Sequence, residues 1–540
     1  MKKDTPNFFD ARTIIAIVLV AGTFMGWQYY MQKKYPQAFN KNKTTETAPV
    51  AANSAVKSGS EPIETKSPPV SADRLEDAAP TLTAESVVRF ENANMAFDLS
   101  SKGMGIANVT LNKYKDREGK LIEIGHAEGE LRPLQTRLRG QPQPLDFKVE
   151  RINENMFVGR ARVGTMEITK SVEIDPVKYL ITTKITSSGA DDRFVGLTTV
   201  LTDRLHDHPK ASFFLPNTTY QEFYVETAET HDRYIFEKTD VEKEWSKVRI
   251  ASIGSPFFTQ AVADRSNIMP KVKAITNHEK KQSTIQLEYE TLTKDPLQIE
   301  YLVYIGPKSL DLLNSIDPGL SNVVDFGYFN WIGRQILSTL KWFHQWTGNW
   351  GMAIILLTLL VRILVFPFNM YSYKSMKAMQ VIQPKIQAAR ERYKDDQQKQ
   401  QQEIMGLMRE NKVNPIGGCL PIFLQFPIFL ALYQVLGHSI ELYQAPFMLW
   451  IPDLSLKDPY YILPVLMGAT MFVQQKITPN TMDPAQAKIL LFMPLVFTIF
   501  MIELASGLTL YMWVGAVFSV LQQLYFMRDN KGVSLASVKT

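Results

Sequence analysis

Hydrophobic positions divide the 540-residue chain into two regions with different periods. Between 85 and 310, apolar and polar residues alternate, as in Tyr179-Leu-Ile-Thr-Thr-Lys-Ile185 and Ile299-Glu-Tyr-Leu-Val-Tyr304. After 328 the period becomes helical and the apolar runs lengthen. The pattern therefore predicts a large antiparallel β-sandwich at 85–320, followed by an α-helical region.

The helical region contains long apolar segments typical of transmembrane helices. They lie at about 350–368, 419–437, 460–475, 489–502 and 507–526. An N-terminal stretch from Ile14 to Trp27 predicts a sixth crossing, and 349–530 would form a five-helix core. The segment 489–502 would extend about 21 Å in a hydrocarbon layer of about 30 Å, which predicts a locally thinned bilayer.

The N-terminal stretch has two interpretations, since its basic flank suits a cleaved signal peptide as well as an anchor. Trp27-Gln-Tyr-Tyr30 is too bulky for a cleavage site and typical of an interfacial belt, which favours an uncleaved anchor at 1–31. Residues 32–84 are rich in Lys, Pro, Ser, Thr, Ala and Glu, a composition that predicts a disordered tether.

Loop charges predict the orientation in the membrane. The loop 371–418 carries nine Lys and Arg residues, whereas the loop 438–459 carries only Lys457. Basic loops stay in the cytoplasm. Six crossings then place both termini in the cytoplasm, including the tail 531–540, and the sandwich on the opposite side.

The stretch 328–346 predicts an amphipathic helix within a segment at 321–348. Trp331, Trp342 and Trp346 suit the headgroup region of a bilayer, so we expect the helix to lie on the membrane surface. The alternative is a helix packed on the sandwich.

An arginine lies in the middle of an apolar run. Arg362 is one helical turn from Thr358, and Gln425 and Tyr511 add polarity to other segments. A charge at that depth is costly and usually faces protein or a water-filled cavity. No acidic residue lies near the middle of a crossing, so we expect a hydrated groove. The alternative is a structural arginine that caps backbone carbonyls.

The basic loop predicts a helical hairpin at 374–412, with a kink or start near Pro384. Its methionine-rich stripe could bind varied apolar partners, or it could simply pack the two helices together. The first helix carries the basic residues Lys374, Lys377, Lys385, Arg390 and Arg392.

Composition excludes several classes of function. The net charge of +5 is too small to indicate nucleic-acid binding, and the single cysteine, Cys419, cannot form an intrachain disulfide. Nothing near His206 and His208 completes a metal site. Nucleotide-binding and catalytic motifs are absent, so we expect neither an enzyme nor a cofactor.

Ordered motifs across about 325–530 resemble the YidC family of membrane protein insertases. The motifs are Asn349-Trp-Gly, Val361-Arg362, Gln383-Pro-Lys385, Asn411-Lys-Val-Asn-Pro-Ile-Gly-Gly-Cys-Leu-Pro421, Gln425-x-Pro427-Ile-Phe-x-Ala-Leu-Tyr433 and Ser506-Gly-Leu-x-Leu-Tyr511. The anchor, tether and sandwich resemble the Gram-negative type.

The resemblance implies an insertase and chaperone of the bacterial inner membrane, whose hydrophilic groove is open to cytoplasm and lipid. It implies a periplasmic sandwich and a substrate groove formed by Arg362, Thr358, Gln425 and Tyr511. The implied partners are nascent membrane proteins, the Sec translocon, the ribosome (weakly) and membrane lipids, without sequence-specific nucleic acid.

The chain departs from the family at the turn before the last helix, where Glu503-Leu-Ala-Ser-Gly507 lacks a proline that relatives often carry. We expect this to affect the geometry of the turn and not the function. Two other functions remain as alternatives. A small-molecule transporter would carry inverted repeats, which the sequence does not show. A scaffold for membrane complexes would not itself insert proteins.

Overall fold

The computed structural model describes residues 84–116, 118–125, 131–189, 196–205, 221–236, 239–290, 297–411, 413, 420–478 and 484–529. These residues form two compact units. The first is the β region up to Gly306, and the second is the helical region from Pro307, joined by Ser255–Phe258. The predicted N-terminal anchor, tether and C-terminal tail lie outside the described residues, as do Cys419, His206 and His208.

The first unit consists of short strands, as the alternating pattern predicts. In chain order they are β1 (Val87–Glu91), β2 (Met95–Ser100), β3 (Ile106–Lys115), β4 (Leu121–Ile124), β5 (Thr136–Leu138), β6 (Lys148–Asn153), β7 (Met156–Val163), β8 (Met166–Ile174), β9 (Leu180–Ser188), β10 (Gly196–Arg204), β11 (Glu222–Thr227), β12 (His231–Ile235), β13 (Glu242–Trp245), β14 (Val248–Gly254), β15 (Phe258–Asp264), β16 (Lys271–Asn277), β17 (Gln282–Glu290) and β18 (Gln298–Pro307).

Among the described residues, these strands form three sheets. The largest has nine strands in the order β12-β11-β14-β15-β18-β9-β8-β7-β6. A second has five in the order β13-β16-β17-β10-β5, and a third has four in the order β1-β2-β3-β4. Neighbouring strands pair antiparallel, as β8 does with β9 through Val172 opposite Thr183. The all-β architecture predicted for this region is confirmed.

Alternate residues of β8 fill the interior of the first unit. Ile168, Val172 and Ile174 are fully buried or nearly so, and they point to the same side as Lys170. The Lys170 ammonium is completely enclosed and donates to the carbonyls of Gly103, Met104 and Leu134 and to the Thr136 hydroxyl. The chain thus holds a lysine in its apolar core through neutral acceptors.

The second unit is built from helices. They are α1 (Leu310–Ile316), α2 (Asn330–Thr347), α3 (Trp350–Arg392), α4 (Gln397–Glu410), α5 (Leu420–His438), α6 (Ile462–Ile477), α7 (Pro484–Met501) and α8 (Ser506–Asp529). Each of the five apolar segments predicted after residue 349 coincides with one helix: α3, α5, α6, α7 or α8. By length and composition, Trp350–Arg392 and Ser506–Met527 could each cross a membrane, whereas Ile462–Ile477 is a shorter apolar helix.

Large apolar side chains cover the outer faces of these helices, as expected for surfaces that meet lipid. They include Leu360, Ile363, Leu364 and Phe368 on α3, Leu491, Phe492, Leu495, Val496 and Ile499 on α7, and Leu521, Leu524 and Tyr525 on α8. Helix α8 packs against α3, α5 and α6, while α7 packs against α6.

Helix α3 is longer than the sequence pattern indicates. It runs without interruption for 43 residues, through Pro367 and Pro384, and so includes the first arm of the predicted hairpin. At about 1.5 Å per residue it extends about 65 Å, twice the hydrocarbon thickness. Of the start or kink predicted near Pro384, the start is therefore wrong, and the kink stays a prediction. A proline removes one backbone donor but does not end a helix whose flanking turns are held by packing.

Packing of this kind holds the hairpin. Ile382 and Ile386 of α3 form a small buried cluster with Val413. Met379, Ala378 and the α4 residues Ile404, Leu407 and Met408 surround it. The methionine-rich stripe therefore packs the two arms together, which is the second of the alternatives stated for it.

The turn between α7 and α8 is closed by the segment that precedes α6. Ser506 and Gly507 donate their backbone N–H groups to the carbonyls of Leu456 and Leu454 at 2.6 and 3.0 Å. The Ser506 hydroxyl donates to the Asp453 carbonyl at 3.0 Å, and Lys457 pairs with Glu503. Hydrogen bonds and an ion pair thus fix this turn.

Candidate functional site

Polar residues recur at helical spacing along the facing sides of α3 and α8. On α3 they are Thr358, Arg362 and Asn369, and on α8 they are Tyr511, Ser519 and Gln522. Contacts advance in the same direction on both helices, from Arg362–Ser519 through Asn369–Gln522 to Tyr373–Phe526. The two helices are therefore parallel, and their polar residues form one seam.

The Arg362 side chain reaches across this seam. Its Nη1 donates to the Ser519 hydroxyl at 3.1 Å, and that hydroxyl donates to the Gly515 carbonyl at 2.9 Å. A Cβ atom on Gly515 would lie 2.4 Å from Arg362 Nη2. The absence of a side chain at Gly515 thus makes room for the guanidinium beside the α8 backbone.

The charge on Arg362 has no counter-ion within the described part of the chain. Its only hydrogen-bond partner there is Ser519, and its Nε is buried without a partner. Arg362 lies 12 residues after Trp350, or about 18 Å along the helix axis, well inside a hydrocarbon layer of about 30 Å. A cation at this depth is stabilised by water or by acidic groups from another molecule. The backbone-carbonyl cap proposed as the alternative has no counterpart among these contacts.

A second polar contact joins α5 to α8. Gln425 Nε2 donates to the Tyr511 hydroxyl at 2.6 Å, and Tyr511 is only 1% exposed. Thr358 differs from these residues, because its fully buried hydroxyl donates to the Ile354 carbonyl of its own helix at 2.7 Å. The structure therefore brings Gln425 and Tyr511 together and places Arg362 against Ser519, while the Thr358 hydroxyl serves its own helix.

The C-terminal half of α8 carries two further side-chain amides. Gln522 accepts from Asn369 at 3.4 Å, and Gln523 accepts from Thr478 at 3.3 Å. Asn369, Ser519 and Gly515 were not predicted from the sequence. Helical spacing could have identified two of them, because Asn369 lies seven residues after Arg362 and Ser519 lies eight residues after Tyr511.

The hairpin presents positive charge beyond the apolar part of α3. Lys374, Lys385 and Arg392 are exposed, while Lys377 and Arg390 are half-buried. This surface suits an anionic partner.

Two family descriptions match the chain in order. The description "YidC periplasmic domain" matches residues 87–339, and the description "60Kd inner membrane protein" matches residues 342–533. The first covers the described sandwich together with α1 and most of α2, and the second covers α3 to α8.

Relatives cover the chain at different lengths. The Membrane protein insertase YidC of Oleidesulfovibrio alaskensis is 34% identical over 552 residues, covering 96% of this chain and all of that protein. That of Pseudomonas fluorescens is 49% identical over 226 residues, covering 42% of this chain and 40% of that protein.

A solved structure described as an active YidC insertase with its first transmembrane domain resolved covers 81% of this chain and 94% of its own. Its TM-score is 0.37 at 18% identity, too low to add to the sequence match. The match over nearly the full length of the Oleidesulfovibrio protein decides the assignment: the chain belongs to the YidC family of membrane protein insertases, non-enzymatic multi-pass proteins of the inner membrane with a periplasmic domain.

Proposed function

We propose that this insertase moves polar segments of nascent membrane proteins along a groove formed by α3, α5 and α8, with Arg362 as its charged centre. The groove residues are Arg362, Gln425 and Tyr511, with Thr358 in its wall and Ser519 positioning the guanidinium. The observation that carries the proposal is the position of Arg362, deep in a membrane helix and without a carboxylate partner among the described residues.

The physical argument concerns the cost of moving polar groups through hydrocarbon. Each unpaired polar group costs several kcal/mol there, so a wet, charged cavity that extends partway across lowers the barrier. Helix α6 has 16 residues and extends about 24 Å, which supports a thinned bilayer beside it. Once the polar segment has passed, burial of the substrate's hydrophobic helix in lipid drives the step without nucleotide.

Arg362 attracts acidic segments, since an uncompensated cation favours carboxylates in a medium of low dielectric constant. Gln425 and Tyr511 are hydrogen-bonded to each other, and they exchange this bond for hydrogen bonds to a passing chain. Thr358 contributes by packing, because its hydroxyl is already bonded to Ile354.

The hairpin, whose predicted bounds are 374–412, receives the substrate in the cytoplasm. The exposed positive charge on its first arm supports contact with the acidic surface of the ribosome. We propose in addition that the domains have the bounds predicted from the sequence and that both termini lie in the cytoplasm. The protein also contacts the Sec translocon and membrane lipids.

Site-specific crosslinking in proteoliposomes tests the groove. A photoreactive residue at Ser519, which contacts Arg362, should crosslink to a stalled nascent chain whose polar tail has not yet crossed. The same residue at Leu521, an exposed position on the outer face of α8, serves as the matched control and should crosslink to lipid. Equal crosslinking of the nascent chain from both positions would contradict the groove.

Liposome insertion separates an insertase from a scaffold. The purified protein alone should insert a short test protein into liposomes at a rate well above that of empty liposomes. If insertion required a second membrane complex for every test protein, the scaffold alternative would be the better account.

A further inference from the structure

A cavity of about 320 Å³ lies between α1 and α2. Residues at positions i, i+4, i+7 and i+11 of α2 form one wall of it, and they are polar: Arg334, Ser338, Lys341 and Gln345. Asp311 of α1 faces them, and Leu310, Leu337 and Trp342 complete the lining.

The cavity carries charges of both signs in fixed positions. Lys341 Nζ lies 2.7 Å from Asp311 Oδ2 and 2.7 Å from Glu441 Oε1. Burial disfavours this ammonium, but the two carboxylates outweigh burial and hold the pKa of Lys341 above its usual value. Arg334 donates from Nη2 to the Ser321 carbonyl at 3.2 Å, which fixes its guanidinium. The Asp311 side chain is 76% exposed and is free to meet a second cation.

The chain places this cavity next to the bilayer. Helix α2 ends at Thr347 with Gly348 as its cap, and α3 enters the membrane from Trp350. Lys341 therefore lies within about 14 Å of the start of the crossing, measured along the chain axis. This end of α3 is the periplasmic one, because the basic loop follows at its other end.

Tryptophans flank the cavity on the outer side of α2. The apolar face of α2, which includes Gly333, Ile336 and Leu340, is buried where the helix packs on α3 and α5. The apolar face of this helix therefore packs on protein, and its position at the membrane surface stays a prediction. Trp331, Trp342 and Trp346 lie on the opposite face, 76%, 50% and 75% exposed. Tryptophan side chains favour the headgroup layer of a bilayer.

We propose that this cavity binds the headgroup of a zwitterionic phospholipid, with the phosphate against Arg334 and Lys341 and the ammonium against Asp311. Arg334, Lys341 and Asp311 line the cavity, and Glu441 pairs with Lys341 from outside the lining. The formal charges of these four groups cancel, which favours a zwitterion over an anionic headgroup. The neighbouring tryptophans favour a lipid over a free solute, since they suit the layer in which the acyl chains begin. A lipid bound in this way would fix the height of α2 and of the first turn of α3.

Photolabelling of the full chain in nanodiscs tests the site. A phosphatidylethanolamine analogue with a photoreactive headgroup should label α1 and α2, and an equivalent phosphatidylglycerol analogue should label them at least five-fold less. Ser338→Trp and Gln345→Trp each fill the cavity and should reduce the ethanolamine-lipid label at least five-fold. Gln335→Trp introduces the same side chain at an exposed position on α2 outside the cavity and should leave the label unchanged.

Two further experiments distinguish a lipid from a soluble phosphate, and a zwitterionic headgroup from an anionic one. Asp311→Asn should lower the ratio of ethanolamine to glycerol label toward one. Free phosphoethanolamine at millimolar concentration should not displace the label; displacement would indicate a site for a soluble phosphate and would overturn the lipid proposal. Equal labels in the Ser338, Gln345 and Gln335 variants, or equal labels from both lipids in the wild-type chain, would overturn it as well.

Discussion

The position of the Arg362 charge depends on a residue without a side chain. Gly515 lies where a Cβ atom would be 2.4 Å from the guanidinium, so a small backbone surface sets how close the charge approaches α8. Ser519 then fixes one end of the fork at 3.1 Å. Gly515 and Ser519 therefore fix where the positive charge of Arg362 lies relative to α8.

Gly515→Ala should displace the guanidinium and weaken the attraction of acidic tails. We expect insertion of a substrate with an acidic tail to fall about two- to ten-fold, equivalent to about 0.4–1.4 kcal/mol. Gly406→Ala on α4 is the matched control, because no atom lies within 4 Å of its added Cβ. Both variants are measured in proteoliposomes, and wild-type rates for Gly515→Ala would show that the close approach is unimportant.

Lys170 makes the stability of the sandwich depend on pH. Burial lowers the pKa of its ammonium from 10.5 to about 7. Between these values the unfolded chain binds the proton and the folded chain does not, so stability rises with pH and levels off above the unfolded pKa. The slope contributed by this one group is at most about 1.4 kcal/mol per pH unit.

Lys170→Met should remove that contribution. Denaturant unfolding of the full chain, followed by the β-sheet circular dichroism signal from pH 7 to 10, should show a smaller slope in the variant than in the wild type. The slope is the diagnostic quantity, because the variant also leaves four acceptors without their donor. Parallel curves would mean that Lys170 stays charged in the folded state through its oxygen partners.

At the scale of elements, the hydrophobic period predicted the type of each element better than the residues at which it begins and ends. Each apolar segment after residue 349 became a helix, and the alternating region became strands. The C-terminal end of α3 was not predicted, because Ile382 and Ile386 pack on α4. This tertiary contact overrides the local signal of Pro384. The packing of the apolar face of α2 escaped for the same reason, since period cannot distinguish a lipid surface from a helix surface.

The hairpin should be more mobile than the helices around the groove. Its buried cluster contains three residues, Ile382, Ile386 and Val413, which is small for 39 residues of loop and helix between 374 and 412. Local opening is easiest where few apolar contacts hold a segment. Amide hydrogen exchange should therefore be faster in α4 than in α8, and equally slow exchange in both would contradict this expectation.

At the scale of the whole molecule, the residues proposed for insertion all lie in the second unit. The site could be predicted from sequence only in part: Arg362 stands out as a charge in an apolar run, whereas Ser519 and Gly515 are unremarkable until α3 and α8 are seen side by side. A hydrogen-bonded pair such as Gln425–Tyr511 needs two distant segments to meet, which no local pattern encodes.

Deletion of about 90–300 should leave insertion largely intact. The same deletion removes Ser255–Phe258, which cluster with the helical unit, and Phe257 packs against Tyr443 with ring centres 4.9 Å apart. The truncated protein should therefore insert substrates but unfold at a lower temperature. Phe257→Ala in the full chain is the control for the lost contact. Loss of insertion for every substrate, in a truncated protein still embedded in the membrane, would place function in the sandwich.

The most direct test of the central claim compares Arg362→Lys with Arg362→Ala on matched substrates whose tails differ only in acidic residues. Since Arg362 has no bidentate carboxylate partner among the described residues, positive charge should suffice, and Lys should retain insertion of acidic tails. Ala should lose it, while neutral tails change little in either variant. Equal loss for acidic and neutral tails in Arg362→Ala would contradict the electrostatic account and favour a structural arginine.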